Sequence, residues 1–227
     1  MRSLAAHIFA RLPRRLRWRI ERLRWQRAFG GPYALAERYL NGLHGVEIGG
    51  AAHNHFVDAI NIDRSANPHP AYIEEQIRLA GRAARIDLVA YGDDLPFKDK
   101  SVDFVLASHV IEHFYDPIKA LLEWDRVARR FVFLVVPHHA RTFDAGRELT
   151  TVEELLERHA EAREVHEERH WSVWDCESFV ALCERIGLNV VETEDPDRRI
   201  GNGFTVVIEV DPKRRVDPLA AAGTAAA

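Results

Sequence analysis

At 227 residues, 47% hydrophobic and 29% charged, the chain is long enough to bury one sizeable core, and nothing in it argues for two. No apolar run is long enough to span a bilayer, which excludes an integral membrane protein built of helices. The net charge of −4 hides an asymmetry: residues 1–27 hold nine arginines against the single acid Glu21, a charge of +8 that leaves −12 for the rest. An acidic main body speaks against binding nucleic acid, whose phosphates demand a basic track.

Leu12, Leu16, Ile20, Leu23 and Arg27 recur at helical spacing with Trp18 and Trp25 nearby, predicting a basic amphipathic helix. Such a helix either rests on an anionic membrane surface or packs on its own domain with the arginines in water. The first residues lack the apolar core and cleavage site of a secretory signal. Gly30, Gly31 and Pro32 break the pattern, and 33–40 reads as a second short helix, so residues 1–40 form a helical appendage.

Apolar runs then recur at 46–48, 59–63, 86–90, 104–107, 131–136, 189–191 and 204–210, giving seven strands. Helical patterns at 71–79, 118–127 and 179–186 fall between them, the last ending at Gly187. Strands alternating with helices imply a mostly parallel sheet with helices on both faces. The last two strands are joined through Asp195-Pro196-Asp197 with no helix, so the final strand should be antiparallel. Thr150-Thr151-Val152-Glu153 has capping chemistry and opens a charged helix to about residue 162. Residues 211–227 read as a disordered tail after a main domain of 41–210. Cys176 and Cys183, seven apart, are too far for a bridge within one helix and read as core thiols of a reducing cytoplasm.

Two stretches carry chemistry. Residues 103–117 run Asp-Phe-Val-Leu-Ala-Ser-His-Val-Ile-Glu-His-Phe-Tyr-Asp-Pro, a buried-strand pattern that breaks into a polar segment. Ligands of open α/β sheets bind beyond the carboxyl ends of strands, where Ser108, His109, Glu112 and His113 would fall. Just upstream stand Asp94-Leu95-Pro96-Phe97 and a polar turn, 98–101. This succession resembles class I S-adenosylmethionine-dependent methyltransferases of the type 11 kind, over roughly residues 45–210. Thr142-Phe143-Asp144 and Gly201-Asn202-Gly203-Phe204 resemble elements of a bacterial subgroup.

The resemblance implies a Rossmann-like sheet and S-adenosyl-L-methionine as cofactor. It assigns the acid of the first glycine loop to Glu47 and glycines to positions 49, 51 and 53, of which only Gly49 remains, with Gly50 beside it. A turn after a strand would want glycine for its own reasons. Asp63, ending the second strand, matches the acid that accepts hydrogen bonds from the ribose hydroxyls. The gap of 51–58 is short for a first helix, so a loop with His53, Asn54 and His55 would fold over the cofactor, Asn54 as a contact. The family's adenine-binding acid falls on Tyr91, making Asp93 the substitute, with Asp94 and Leu95 beside it; solvation of a loop is the plainer reading of the two acids. The Pro-Gly-Gly turn before the fifth strand is missing, since residues 126–130 run straight into Phe131.

Methyl transfer to a hydroxyl needs a base, and His138, directly after Pro137 at the end of the fifth strand, is the first candidate. His139 ranks second, and His109 should stand nearest the transferring methyl. Arg141, Asp144, Arg147, His170 and Trp171, in an insertion at about 138–175, read as a surface for a polar acceptor, together with Glu112 and His113; capping and solvation of a long connection is the competing reading. His138, His139, Asp144, Glu168 and His170 could instead gather a divalent cation such as Mg2+, although no tight spacing supports it. The expectation is a cytoplasmic O-methyltransferase, peripheral to the membrane if 1–27 binds lipid, acting on a sugar, polysaccharide precursor or glycolipid. The alternatives are a lipid-linked phenol or other small acceptor, or a cofactor-binding scaffold or sensor without catalysis.

Overall fold

The computed structural model describes residues 34–50, 59–80, 83–165, 167, 169–198 and 201–213, with residues 12, 13, 16, 17, 20 and 23. The expectations for the basic helix in 1–27, for Asn54 and its loop, for Glu168 and for the tail beyond residue 213 therefore lie outside the described residues. In chain order the elements are α1 (Ala34–Leu40), β1 (Gly45–Ile48), β2 (Ala59–Asp63), α2 (Pro70–Ala80), β3 (Leu88–Val89), β4 (Val102–Ser108), α3 (Pro117–Val127), β5 (Ala128–Pro137), α4 (Val152–Glu161), α5 (Cys176–Arg185), β6 (Asn189–Glu194) and β7 (Gly203–Glu209). Short 3-10 turns at Ile111–His113 and His139–Arg141 follow β4 and β5.

The strands form one seven-stranded sheet in the order β3-β2-β1-β4-β5-β7-β6. All neighbours are parallel except β7, which inserts antiparallel between β5 and β6. The expected antiparallel last strand is therefore present, and the strand order reverses at β1 and β4. Such a reversal opens a crevice at the carboxyl edge.

Period-two packing explains the unbroken apolar strands. Val105 and Ala107 of β4 and Val132, Leu134 and Val136 of β5 pack into one core with Leu121 and Trp124 of α3 and Phe179 and Leu182 of α5. Phe104, Leu106, Phe133 and Val135 point the other way, onto Leu35, Ala36 and Leu40 of α1. A strand covered on both faces has no polar side to show.

Local signals set the boundaries. Thr151 caps α4 by accepting the Glu154 amide, and the helix stops at Ala162 in the left-handed region. Asp175 and Ser178 form a reciprocal capping box on α5. α3 passes into β5 without a loop, as the missing Pro-Gly-Gly turn implied. β3 is shorter than its apolar run because it pairs only with the last two residues of β2.

Glu112 and His113 sit in a 3-10 turn separate from the helix that follows β4. The helix starts at Pro117, where Asp116 accepts the Lys119 amide and proline at the first position needs no donor.

Candidate functional site

Beyond the carboxyl ends of β1, β2 and β4, a cavity of about 990 Å³ opens between α2, the segment after β3, the start of α3 and the stretch after α4. Its volume lies at the upper end of the roughly 300–1,000 Å³ that small-molecule sites occupy.

At the end of β1, Gly49 takes φ +60 and donates its amide to Ile62 O at 2.8 Å. A Cβ there would stand 2.7 Å from Val110, and one on Gly50 only 2.0 Å from Asn61 Oδ1. Both glycines line the cavity, and the Gly50 carbonyl accepts from Gln76 Nε2 at 3.1 Å. The bare backbone here is thus demanded by Val110 and Asn61 as well as by any ligand. Asp63 lines the cavity at the end of β2, its Oδ1 held by the Ser65 amide at 2.9 Å.

After β3, Tyr91, Gly92, Asp93 and Asp94 line the next wall. Asp93 accepts from Lys119 Nζ at 3.0 Å. Burial works against the Lys119 charge, yet the bond to Asp93 outweighs it and holds the ammonium above its ordinary pKa. Trp124, fully buried, donates Nε1 to Gly92 O at 2.7 Å and fixes this wall to α3. Leu95 is buried in the core, its amide on Glu123 at 2.7 Å, while Arg126 grips the Leu95 and Phe97 carbonyls. The Leu-Pro-Phe stretch is therefore clamped by α3 and does not line the cavity. Neither do Glu47, buried inside β1, or Ser108, buried at the end of β4.

His109, also in the left-handed region at φ +55, turns the chain out of β4 while its amide bonds Val135 O at 2.9 Å. His109 and His113 both line the cavity. Behind them Glu112 is completely buried, and neither carboxylate oxygen has a hydrogen-bond partner. Its Oε1 stands 4.0 Å from His109 Nδ1, 3.8 Å from His113 Nε2 and 3.9 Å from His170 Nε2. Burial pushes the Glu112 pKa up to about 8, so the carboxyl is mostly protonated at neutral pH.

His170 arrives from the insertion because the Trp171 amide bonds Glu112 O at 2.8 Å. Its Nδ1 stands 2.6 Å from Asp144 Oδ2, and Asp144 also takes Arg147 at 2.6 Å. Burial opposes ionisation of Asp144, but these two donors outweigh it and hold its pKa below the usual value.

His138 and His139 stand apart from the cavity lining. They stack on each other at 5.1 Å, and His138 Nδ1 accepts the Ala140 amide at 3.1 Å. Burial, then the nearby Arg141 charge, lowers the His138 pKa. Arg141 itself pairs with Asp195 and donates to Gly203 O at 2.9 Å, tying the exit of β5 to the β6–β7 connection. Trp171 packs on Tyr115 and lies under Arg169. Of the residues expected to hold an acceptor, His113 lines the cavity; Glu112 and His170 are joined behind it, and Arg141, Asp144, Arg147 and Trp171 build the surrounding frame.

The cavity also has walls that sequence reasoning missed: Arg64, His69 and Tyr72 at and before α2, Tyr115 and Lys119 near the start of α3, and Arg163, Glu164 and Glu167 after α4. The left-handed stop at Ala162 marks where the last group leaves the helix, but nothing local reveals where it points.

The open α/β sheet has a strand-order reversal, an acid closing β2 and a large crevice at the carboxyl edge, where folds of this topology take their ligands. Residues 49–136 match the family model described as a methyltransferase domain, which supports a class I S-adenosylmethionine-dependent methyltransferase. It is an enzyme that uses S-adenosylmethionine. A search of curated proteins finds no match. Similar solved structures include an S-adenosylmethionine-dependent methyltransferase from Aquifex aeolicus, 13% identical over 88% of this chain and 100% of that one, with a TM-score of 0.49. Another, from Thermotoga maritima, is 18% identical over 85% and 96%, TM-score 0.47. The magnesium protoporphyrin IX methyltransferase of Synechocystis PCC 6803 with bound S-adenosylhomocysteine is 10% identical over 84% of each chain, TM-score 0.46. Among the described residues no helix is long and apolar enough to cross a membrane.

Proposed function

We propose that this chain is an O-methyltransferase for the hydroxyl of a polar, hydroxyl-rich acceptor such as a sugar, a polysaccharide precursor or a glycolipid. The observation that carries the reading is the imidazole and carboxyl cluster on the β4 wall, because a neutral hydroxyl must lose its proton as it attacks, whereas an amine needs less help. A polar rim supports it: Arg64, His69, Lys119, Arg163, Glu164 and Glu167 face the cavity, with Tyr72 and Tyr115 offering flat faces to a sugar ring. A phenol would favour a more apolar wall.

The cavity suits the cofactor. Asp63 would accept from the ribose hydroxyls, the 91–94 segment would face the adenine, and Gly49 and Gly50 would leave room for the amino-acid tail. S-adenosylmethionine supplies an electrophilic methyl carbon on a sulfonium, and with it the driving force. The protein then has two tasks, to hold the acceptor oxygen in line and to receive its proton. His109 is assigned the proton because it lines the cavity at the end of β4. His138, away from the lining, would keep the exit of β5 in place.

Incubating the enzyme with isotopically labelled cofactor and candidate glycans, with mass spectrometry of the products, tests the reading. Label should appear on a hydroxyl oxygen, and His109→Ala should lower turnover at least tenfold, about 1.4 kcal/mol of barrier, with S-adenosylhomocysteine affinity retained. His138→Ala should cost less. Label on nitrogen or sulfur alone, or an unchanged His109→Ala rate, overturns it.

A further inference from the structure

We infer that Glu112, His113 and His170 form a binding site for one divalent transition cation of the zinc class. One potential ligand atom from each of the three lies within 4.8 Å of the others, the one such grouping among the described residues. It is not the set weighed from sequence, which included His138, His139 and Asp144. In a tetrahedral zinc site with bonds of about 2.0–2.1 Å, neighbouring ligand atoms stand roughly 3.3 Å apart. Glu112 Oε1 is 3.8 Å from His113 Nε2 and 3.9 Å from His170 Nε2, so small side-chain movements would close them on an ion.

Two observations make this more than a cluster of polar groups. The Glu112 carboxyl is completely buried, both oxygens lack a hydrogen-bond partner, and one is aimed at the two imidazoles, an arrangement that costs free energy unless something positive stands between them. His170 is already prepared as a ligand: Asp144 Oδ2, itself anchored by Arg147, stands 2.6 Å from its Nδ1, where it accepts the Nδ1–H hydrogen bond and leaves Nε2 turned toward Glu112. Metal-binding histidines are oriented in this manner by a carboxylate behind them. The two rings meet edge to face at 4.8 Å, as two imidazoles converging on one ion would.

Imidazole nitrogens with one carboxylate favour Zn2+, Fe2+ or Co2+ over Mg2+ or Ca2+, which prefer oxygen. His113 lines the cavity, so a three-ligand site would keep an open position toward it. An acceptor hydroxyl bound there would be acidified. That second step rests on the hydroxyl-acceptor reading above; the binding of the ion does not.

The test uses the full chain without added histidines, stripped by chelator and titrated with Zn2+ and, for its visible spectrum, Co2+. One ion per chain is expected, with ligand-field bands of low coordination number. Glu112→Gln and His170→Ala should each weaken it at least tenfold, and Asp144→Asn, which touches no ion, about 10- to 100-fold. Circular dichroism and retained S-adenosylhomocysteine binding show that the variants fold; should one fail, His113→Asn replaces it. Absence of stoichiometric uptake, or affinities unchanged across the folded variants, overturns the site. A chain that takes up the ion but never methylates a hydroxyl overturns the acceptor reading alone, and one that methylates hydroxyls equally well with and without the ion overturns only the ion's part in acidifying the acceptor.

Discussion

Along the β2 and β3 side of the cavity the polar groups are partly exposed and already paired: Asp63 with the Ser65 amide, Asp93 with Lys119. On the β4 side the carboxyl of Glu112 is buried, and three imidazoles surround it just beyond hydrogen-bond range. The first wall suits recognition of a hydroxyl-bearing nucleoside by groups already held in place by partners. The second stores an unsettled charge, and proton or ion chemistry follows where charge is easily changed. On the proposed reading, binding and reactivity are divided between the two sides of β1 in one sheet.

The division can be broken most sharply at Asp63. Asp63→Ala should weaken S-adenosylhomocysteine about 30- to 100-fold, roughly 2–3 kcal/mol, by calorimetry. Glu112→Gln, on the opposite wall, should leave that affinity within about threefold. If both variants lose the cofactor equally, the walls do not divide the work.

A more moderate effect should appear in stability against pH. The folded Glu112 pKa, raised to about 8 by burial, exceeds the ordinary 4.5 that the unfolded chain would show. Between those values the folded state holds a proton that the unfolded state has released. The contribution of Glu112 to stability is therefore full below about pH 4.5, falls as pH rises toward 8 and levels above it. Denaturant titrations in metal-free buffer should show this fall in the wild type and a flatter profile in Glu112→Gln. Equal slopes would mean the carboxyl is hydrated or paired in solution.

The smallest effect belongs to the frame far from both walls. Arg38 and Glu192 pair across α1 and β6 with the arginine side chain 59% exposed, so Arg38→Ala should change unfolding free energy by no more than about 1 kcal/mol and leave turnover alone.

Sequence carried the sheet because its signals are local. Apolar runs bounded by polar residues located all seven strands, and β2 ends at Asp63 as its pattern required. The separation of the Ile111–His113 turn from the next helix is also written locally, in Asp116 followed by Pro117, which caps and opens that helix. The β4 wall was only half legible. His109, Glu112 and His113 stand together in sequence, but His170 lies 58 residues from Glu112 and reaches it through one backbone hydrogen bond that no spacing rule encodes. The same holds for Arg163 and Glu167, whose aim depends on how α4 packs against α3. His138 shows the converse: the end of a parallel strand suggested chemistry, while its own stacking and hydrogen bond hold it beside Phe204, outside the lining.

A crystal structure of the chain with S-adenosylhomocysteine would test the division of the cavity most directly. The ribose should lie against Asp63, with the sulfur directed toward His109 and His113. A nucleoside seated instead against His138 and Phe204, or its ribose turned toward Glu112, would contradict it.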